Sequence, residues 1–452
     1  MKTCFHFLPA SLLLCLAVGA AAQTNYQEYF FSNTSPVVYR YNPALTGEGP
    51  FLSVGDVTLS SRANIGARNY YFELPGHEGL LFGLHKDVPA DVFLNGLPPE
   101  SSVSGSVRYS LFSYGRPGRN GGYHTFEFST FVHGGFNLPK DLFVLLKTGK
   151  TGIDYDLSNF YLKTDSHAEL TYGYSRRLSD IVSVGFRARL LVGLFSVQTG
   201  LASLSIDLGD PGWAVKAVGD LDLSGWKAGE GKDVYSYDNN KAWRARKALP
   251  SGLGASVDLG VAIRPNEYLT LSASVGNLGF MFWHYGFGGE ARAEFSLTNL
   301  IESAKKHTDE DWFESLKSLA RDLENQITIT GQPDGWSPRP IPFNADLGVK
   351  YAMPFYDRLS AGITGHFTKY GINTYWETRL GFSVDPLDWL EATGSIGRGK
   401  YGTVWSMGVS ARVERFRIQL ALQDNFGAKI NHTSIHQYPY NQTITLGLSY
   451  DL

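Results

Sequence analysis

The side chains best placed for chemistry are charged ones on the polar faces of alternating segments. Glu127, Glu169, Asp258 and Glu377 are matched by Arg187, Arg189, Arg379 and Arg412, and His167 and His366 fall on the same kind of face. Carboxylate and guanidinium groups in such numbers form charge-assisted, often bidentate pairs. In a water-filled pore they would be lumen-lining: either a structural ion-pair network or a selectivity lining that grips a substrate carboxylate. Catalysis has no comparable constellation. The 11 histidines are scattered, without a His-Glu-x-x-His motif or a pair backed by a third ligand, so neither a metal nor another cofactor is expected;. There is no Gly-x-Ser-x-Gly elbow and no defensible Ser–His arrangement, so an enzyme is not expected, a membrane-embedded hydrolase included. Gly394 to Lys400 looks like a phosphate-binding loop. However, Tyr401 stands where Ser or Thr should follow, and the stretch joins two strands where such a loop would open a helix. It reads as a Gly-rich hairpin.

The elements that must position these charges begin with export. Met1-Lys2-Thr3 carries a positive charge, Phe5 to Val18 is apolar, and Ala20-Ala21-Ala22 offers a cleavage site before Gln23. Residues 1–22 therefore read as a secretory signal, too short in its apolar run for an anchor, since a spanning helix needs roughly 20 apolar residues;. Both cysteines, Cys4 and Cys15, lie inside it, so the mature chain has no disulfide, thiolate metal site or cysteine nucleophile;. Charged residues make up 18% of the chain, against ~25% in soluble domains. Aromatics are 14%, glycines number 50, and the net charge of −3 offers no basic patch for nucleic acid. Past the signal no apolar run could form a transmembrane helix, so a membrane-embedded chain must close as a barrel. The mean hydropathy of −0.16 is compatible with that, because a barrel alternates lipid-facing and lumen-facing residues;.

Period-two alternation dominates the chain. Ile444, Leu446, Leu448, Tyr450 and Leu452 share one face of the last segment, opposite Thr443, Thr445, Gly447, Ser449 and Asp451. Similar runs occupy 182–194, 255–263, 376–384 and 405–413. They reach ~9–12 residues, the length a tilted strand needs to cross a bilayer. Short turns at Ser179-Asp180, Pro265 to Glu267, Pro354 to Asp357, Asp385 to Asp388 and Glu414-Arg415 alternate with long polar loops near 225–250, 284–342 and 426–441. Short periplasmic turns and long outer loops are the pattern of outer-membrane barrels.

Candidate strands fall near 55–65, 103–113, 123–136, 153–163, 166–178, 181–197, 199–208, 213–224, 253–264, 267–280, 343–353, 358–368, 373–384, 389–397, 403–413, 415–425 and 442–452. Seventeen is odd where a bacterial barrel should be even. The suspects are 55–65, as part of an internal plug, and the 199–224 pair, as a projection beyond the membrane. The expected fold is thus all-β: a closed antiparallel transmembrane barrel of about 14–16 strands. The expected organisation is signal 1–22, plug 23–54 and barrel 55–452. A helix at 309–324 is expected in the outer loop 284–342, where Thr308 caps an acidic first turn and Phe313, Leu316, Leu319, Ala320 and Leu323 recur at helical spacing;. Pro139 to Thr148 reads as a second helix beside a periplasmic turn. Trp226, Trp283, Trp389, Tyr268 and Tyr401 sit near strand ends, as an interfacial girdle would.

The C-terminal stretch, with Thr445, Gly447, Tyr450 and Leu452 in pattern, resembles the signal by which the barrel-assembly machinery recognises clients through strand addition. The segment Tyr41-Asn42-Pro43-Ala44-Leu45 resembles the N-terminal hatch of the long-chain fatty-acid transporter superfamily, which implies a 14-stranded barrel with a plugged lumen. A closer resemblance is to an uncharacterised family of outer-membrane barrels with a leading Asn-Pro-Ala. It is carried also by Tyr123 to Glu127, Asn137 to Phe143, Tyr155 to Ser158 and Leu269 to Ser274. It implies fold and location, since that family has no agreed activity.

The resulting expectation is a passive outer-membrane channel for a small solute, a hydrophobic one included. Asn42, Pro43 and Ala44 would belong to the plug, with Pro43, which lacks an amide donor, letting it bend. The alternative is a structural or scaffolding barrel presenting its loops to a secretion or surface partner. Its other partners would be outer-membrane lipid and the assembly machinery.

Overall fold

A computed structural model describes residues 26–47, 49–77, 81–148, 155–157, 159–207, 214–224, 226–227, 244–245, 250–296, 327–332, 335–370, 373–425 and 439–452. Seventeen strand segments share one antiparallel sheet. Three of them, Ala214–Ser224, Ile327–Gln332 and Gly335–Pro340, pair beyond the ring, which leaves fourteen that close it. In chain order these are β1 (Phe51–Ala63), β2 (Glu100–Pro117), β3 (Gly122–Pro139), β4 (Tyr161–Arg177), β5 (Val182–Asp207), β6 (Gly252–Ile263) and β7 (Leu269–Ser296). There follow β8 (Phe343–Ala352), β9 (Leu359–Tyr370), β10 (Asn373–Leu387), β11 (Leu390–Gly399), β12 (Gly402–Val413), β13 (Phe416–Asn425) and β14 (Tyr440–Asp451). β1 pairs with both β14 and β2, so the ring has no open edge;. The expected closed barrel forms, at the even count of fourteen;.

Alternation builds the wall as the sequence implies. Leu170, Leu190, Leu253, Leu259, Phe280, Leu347, Ile363, Leu380, Phe382, Ile396, Met407, Val409, Ile418 and Leu446 are exposed on the outer face. The intervening residues, mostly Ser, Thr, Gly and charged, are buried inside. A monomer in water rarely exposes a contiguous apolar patch beyond a few hundred Å². Here the apolar surface runs through strand after strand, so lipid is its partner and the barrel is transmembrane. No helix among the described residues is long and apolar enough to cross a membrane.

Three expected strands fall out of the ring. Of the expected strand 199–208, residues 199–207 continue β5 and do not form a strand of their own, and of 213–224, residues 214–224 pair with the outward halves of β5 and β7. Residues 155–157 and 159–160 are not strand, and β4 begins at Tyr161. The suspicion that 55–65 belongs to a plug is corrected: it is β1, the closing strand. β5 and β7 are 26 and 28 residues long, more than twice the ~9–11 a bilayer needs. Their outward halves stand as a small sheet above the membrane. Gly335–Pro340 continues β8 outward and pairs its backbone with β7, while Arg339 donates to Ser196 and Asp222. Pro338 and Pro340 lie on alternate positions of that strand and leave its free edge without those donors;.

The turns at 118–121, 178–181, 264–268, 353–358, 388–389 and 414–415 gather at the end where β1 starts and β14 stops. The opposite, loop end carries a cap built from residues 64–77, 81–99 and helix α3 (Lys140–Thr148), which follows the short helices α1 (Gln27–Phe31) and α2 (Ala90–Gly96) in the chain. The helix over 139–148 therefore forms, but at the loop end and not beside a short turn. Tyr70, Leu81, Val88, Phe93, Leu97 and Phe143 form the cap's core. Phe93, fully buried, meets Phe143 edge-on at 6.0 Å. Burial pushes the Tyr70 hydroxyl up to about 12, so the ring stays neutral in this core.

Two girdle residues turn inward. Trp283 is buried against Leu191 and Met281 inside the barrel, and Tyr401 packs its ring 5.5 Å from the buried Tyr375. Their strands continue above the membrane or end in a tight turn, which places both rings at the lumen mouth. Trp389 is exposed at a short turn, where Phe355 and Tyr356 join it. The Trp226 side chain, the signal 1–22 and the expected helix 309–324 lie outside the described residues.

Candidate functional site

The lumen is filled by the chain's own N-terminal segment. Residues 26–47 enter as α1 and a 3-10 turn, Val38–Arg40, and touch the wall from β1 to β13. Asn42 is the most fully anchored. Its Nδ2 donates to the Val261 and Ala273 carbonyls at 2.9 and 3.1 Å and to Ser272 Oγ at 2.7 Å, while its Oδ1 accepts the Ala44 amide at 2.8 Å. An amide side chain followed by Pro and a small residue supplies both the anchor and the local turn. Pro43 lies against Gly185 of β5, where a Cβ would overlap its carbonyl. Phe30 sits likewise on Gly348, whose Cβ would come within 2.6 Å of the ring. Glycine on the inward face of a strand marks such close approaches. Around these sockets, Phe30, Phe31, Tyr41, Ala44 and Leu45 pack with Ala262, and Tyr29, Val37 and Tyr39 pack with Phe51 and Tyr123.

Polar contacts complete the seat. Ser32 Oγ and the Asn33 amide donate to Glu391 of β11 at 2.8 and 2.5 Å, joined by Thr34 Oγ1. Lys350 of β8 donates to the Phe31 and Ser32 carbonyls at 2.9 and 2.8 Å. Glu28 of α1 meets Arg379 at 3.1 Å and also accepts from Ser406.

Most of the charges singled out in the sequence converge in one network of alternating sign. Arg40 of the plug bridges Asp56 at 2.9 Å and Glu127 at 3.3 Å. Glu127 also meets Arg187 at 3.0 Å, and Arg187 reaches Asp258 at 3.4 Å. Asp258 pairs with Arg189, which approaches Glu169 at 4.0 Å, and Glu169 takes a bidentate pair from Arg108 at 2.6 and 2.9 Å. His167 Nε2 lies 3.1 Å from Glu169. Four carboxylates thus alternate with four guanidiniums across β1, the plug and β2 to β6. Glu377 and Arg379 form a second pair at 3.0 Å on β10, with Tyr375 donating to Glu377 at 2.6 Å. His366 of β9 bonds Asp346 of β8 at 2.7 Å. Arg412 does not join them. It has the inward parity, but it lies at the end of β12 beside a short turn and is exposed to solvent. Its cross-strand neighbour Arg417 is the buried one, 3.5 Å from Asp451.

The seam between β1 and β14 supplies Asp56. A bulge between Ser53 and Val57, with Gly55 at φ +73°, turns its side chain inward, where it accepts Ser53 Oγ at 2.7 Å and the Leu448 amide at 3.1 Å;. Thr445 is buried beside Thr58, Gly447 lies next to Asp56, Tyr450 meets Phe416 at 4.9 Å, and Leu452 is exposed with its amide on the Pro50 carbonyl. Sequence reading missed Arg40, Asp56, Glu28, Arg108, Glu391 and Lys350. Arg108 was reachable by parity within 103–113. Asp56 was not, because a bulge breaks the period.

Between plug and wall lies a cavity lined by Arg108, Phe131, Arg189, Leu191, Ser256 and His366, among others. Its space open to the centre of a water molecule is about 50 Å³. Roughly 10–15 Å³ holds one water, so a few waters fit in it. Among the described residues, no group of three or more His, Cys, Asp or Glu has the geometry to hold a metal ion.

Solved structures similar to the chain include a Pseudomonas aeruginosa FadL homologue, 13% identical over 96% of this chain and 99% of that one, with a TM-score of 0.49. The toluene transporter TodX of Pseudomonas putida is 8% identical over 96% of each chain, with a TM-score of 0.45. No curated protein shows a significant match. Residues 48–422 match the profile of a family of unknown function, DUF5723, and the chain belongs to that family.

Proposed function

We propose that the protein is a passive channel of a Gram-negative outer membrane, closed at rest by residues 26–47. The observation that carries this is the kind of bond holding the plug. Its contacts to Glu391, Lys350, Asp56, Glu127, Ser272 and Arg379 are hydrogen bonds and ion pairs. Water can replace the neutral hydrogen bonds at a net cost of about 0.5–1.5 kcal/mol each and those to charged groups at about 1.5–3 kcal/mol, so a shifted plug becomes accessible once water hydrates both partners of each pair. The solute is small. Glu127, His167, Glu169, Arg187, Arg189, Asp258, Glu377 and Arg379 are the residues such a path would pass. In this reading, residues 1–22 direct export, the expected hatch 23–54 ends where β1 begins at Phe51, and Thr445, Gly447, Tyr450 and Leu452 serve recognition by the assembly machinery. Deleting residues 26–46 is expected to raise conductance in a planar bilayer. Conductance equal to that of the full chain would remove the stopper from the account.

The strands standing above the ring favour a second reading, a scaffold presenting the loop end to a surface or secretion partner. Cross-linking through residues 225–250 and 284–342 separates the two, since partner capture without solute uptake supports the scaffold.

A further inference from the structure

We propose that the lumen cavity is a binding site for a small neutral polyhydroxylated solute, of about the size of glycerol or erythritol. This names the solute class for the path proposed above and rests on that reading. The first observation is charge balance. Three guanidiniums, Arg40, Arg108 and Arg189, and three carboxylates, Glu169, Asp258 and Asp346, line the cavity, with Arg108 on Glu169 at 2.6 Å and Arg189 on Asp258. With these charges already balanced, an ionic solute would bring an uncompensated charge into a closed lumen, which is costly. A neutral one would not.

The second observation is unspent hydrogen-bonding capacity. Ser256 Oγ and His366 Nε2 line the cavity, are more than nine-tenths buried, and have no partner in the protein. His366 Nδ1 bonds Asp346, which leaves Nε2 facing the cavity;. The Ser256 hydroxyl both donates and accepts. Two such groups match the alternating donor and acceptor character of vicinal hydroxyls and give a hydrocarbon solute nothing.

Size and shape agree. About 50 Å³ of water-centre space corresponds to roughly three to five waters;, which a three- or four-carbon polyol would displace with its own hydroxyls. Phe131 and Leu191 supply an apolar surface on which its C–H groups can lie.

Because the only cysteines are Cys4 and Cys15, a Ser256→Cys variant of the mature chain carries a single thiol, inside the cavity. The variant, folded in detergent, is treated with methanethiosulfonates bearing a hydroxyethyl, trimethylammonioethyl, sulfonatoethyl or benzyl group. The hydroxyethyl reagent is expected to react at least tenfold faster than either charged reagent and faster than the benzyl one. Glycerol at 1 M should slow it several-fold, while sucrose, too large for the cavity, should not. Equal rates for charged reagents, a fastest benzyl reagent, no reaction, or no protection by glycerol (a cavity holding water only) would each overturn the assignment. Ser274→Cys, on the same cavity, serves if the first variant does not fold. Conductance of the plug deletion tests the channel separately, so a failed site and a failed channel give different results.

Discussion

The plug lies inside the lumen and the cap at its loop end, and the two are held by different mixtures of forces. The cap is bound by rings: Phe93, Phe143, Tyr70 and Phe82 make edge-on and stacked contacts between 5.4 and 6.4 Å. The plug packs rings too, Phe30, Phe31, Tyr41, Tyr29 and Tyr39, but to these it adds Asn42, Arg40, Glu28 and the Ser32–Thr34 turn, which reach the wall through hydrogen bonds and ion pairs. Apolar contacts lose their favourable free energy outright when water enters. Polar contacts exchange one partner for another. The difference teaches that more of the plug's hold than of the cap's is of a kind water can replace.

Substitutions can break or sharpen that contrast. The largest effect is expected at Arg379, which is fully buried and holds both Glu377 and Glu28. Arg379→Ala leaves two carboxylates uncompensated and should cost about 3–5 kcal/mol, measured by denaturant unfolding of the barrel in detergent. Phe93→Ala should cost about 3 kcal/mol, and the loss should appear locally, as faster hydrogen exchange over residues 64–99 with plug residues unchanged. Gly185→Val places a side chain where Pro43 sits; overpacking of this kind costs roughly 1–3 kcal/mol, and here it should free the plug and raise conductance while the cap keeps its protection. Asp388→Asn breaks a pair with Arg358 at 2.5 Å between side chains 42% and 82% exposed. Its effect should stay within about 1 kcal/mol and leave both regions alone.

Much of the wall was readable because period two is a local property. Fourteen of the seventeen expected strands are in the ring, and the faces of 182–194, 255–263 and 443–451 are as their alternation implies. Length misled where β5 outruns the membrane, since nothing in 181–208 marks the level at which lipid ends. Charges on regular strands were also legible by parity, and Arg412 shows the limit: parity gives the face but not the depth. The plug's own partners were not legible. Arg40 and Glu28 find Asp56 and Arg379 across the lumen, contacts set by closure of the whole ring and, for Asp56, by a bulge. Trp283 and Tyr401 lie at strand ends, as girdle residues would, but the strands carrying them turn those rings inward.

The most direct test locks the plug in place. Asn33 and Ser360 touch across the plug–wall boundary, Ser360 Oγ donating to Asn33 Oδ1 at 2.9 Å. With no other cysteine after residue 15, an Asn33→Cys/Ser360→Cys variant can be closed by oxidation and released by reduction. Its oxidised form in liposomes should take up small polyols no faster than protein-free vesicles, with uptake returning on addition of reductant. Equal uptake in the oxidised and reduced states would show that the plug does not control passage and would contradict the account.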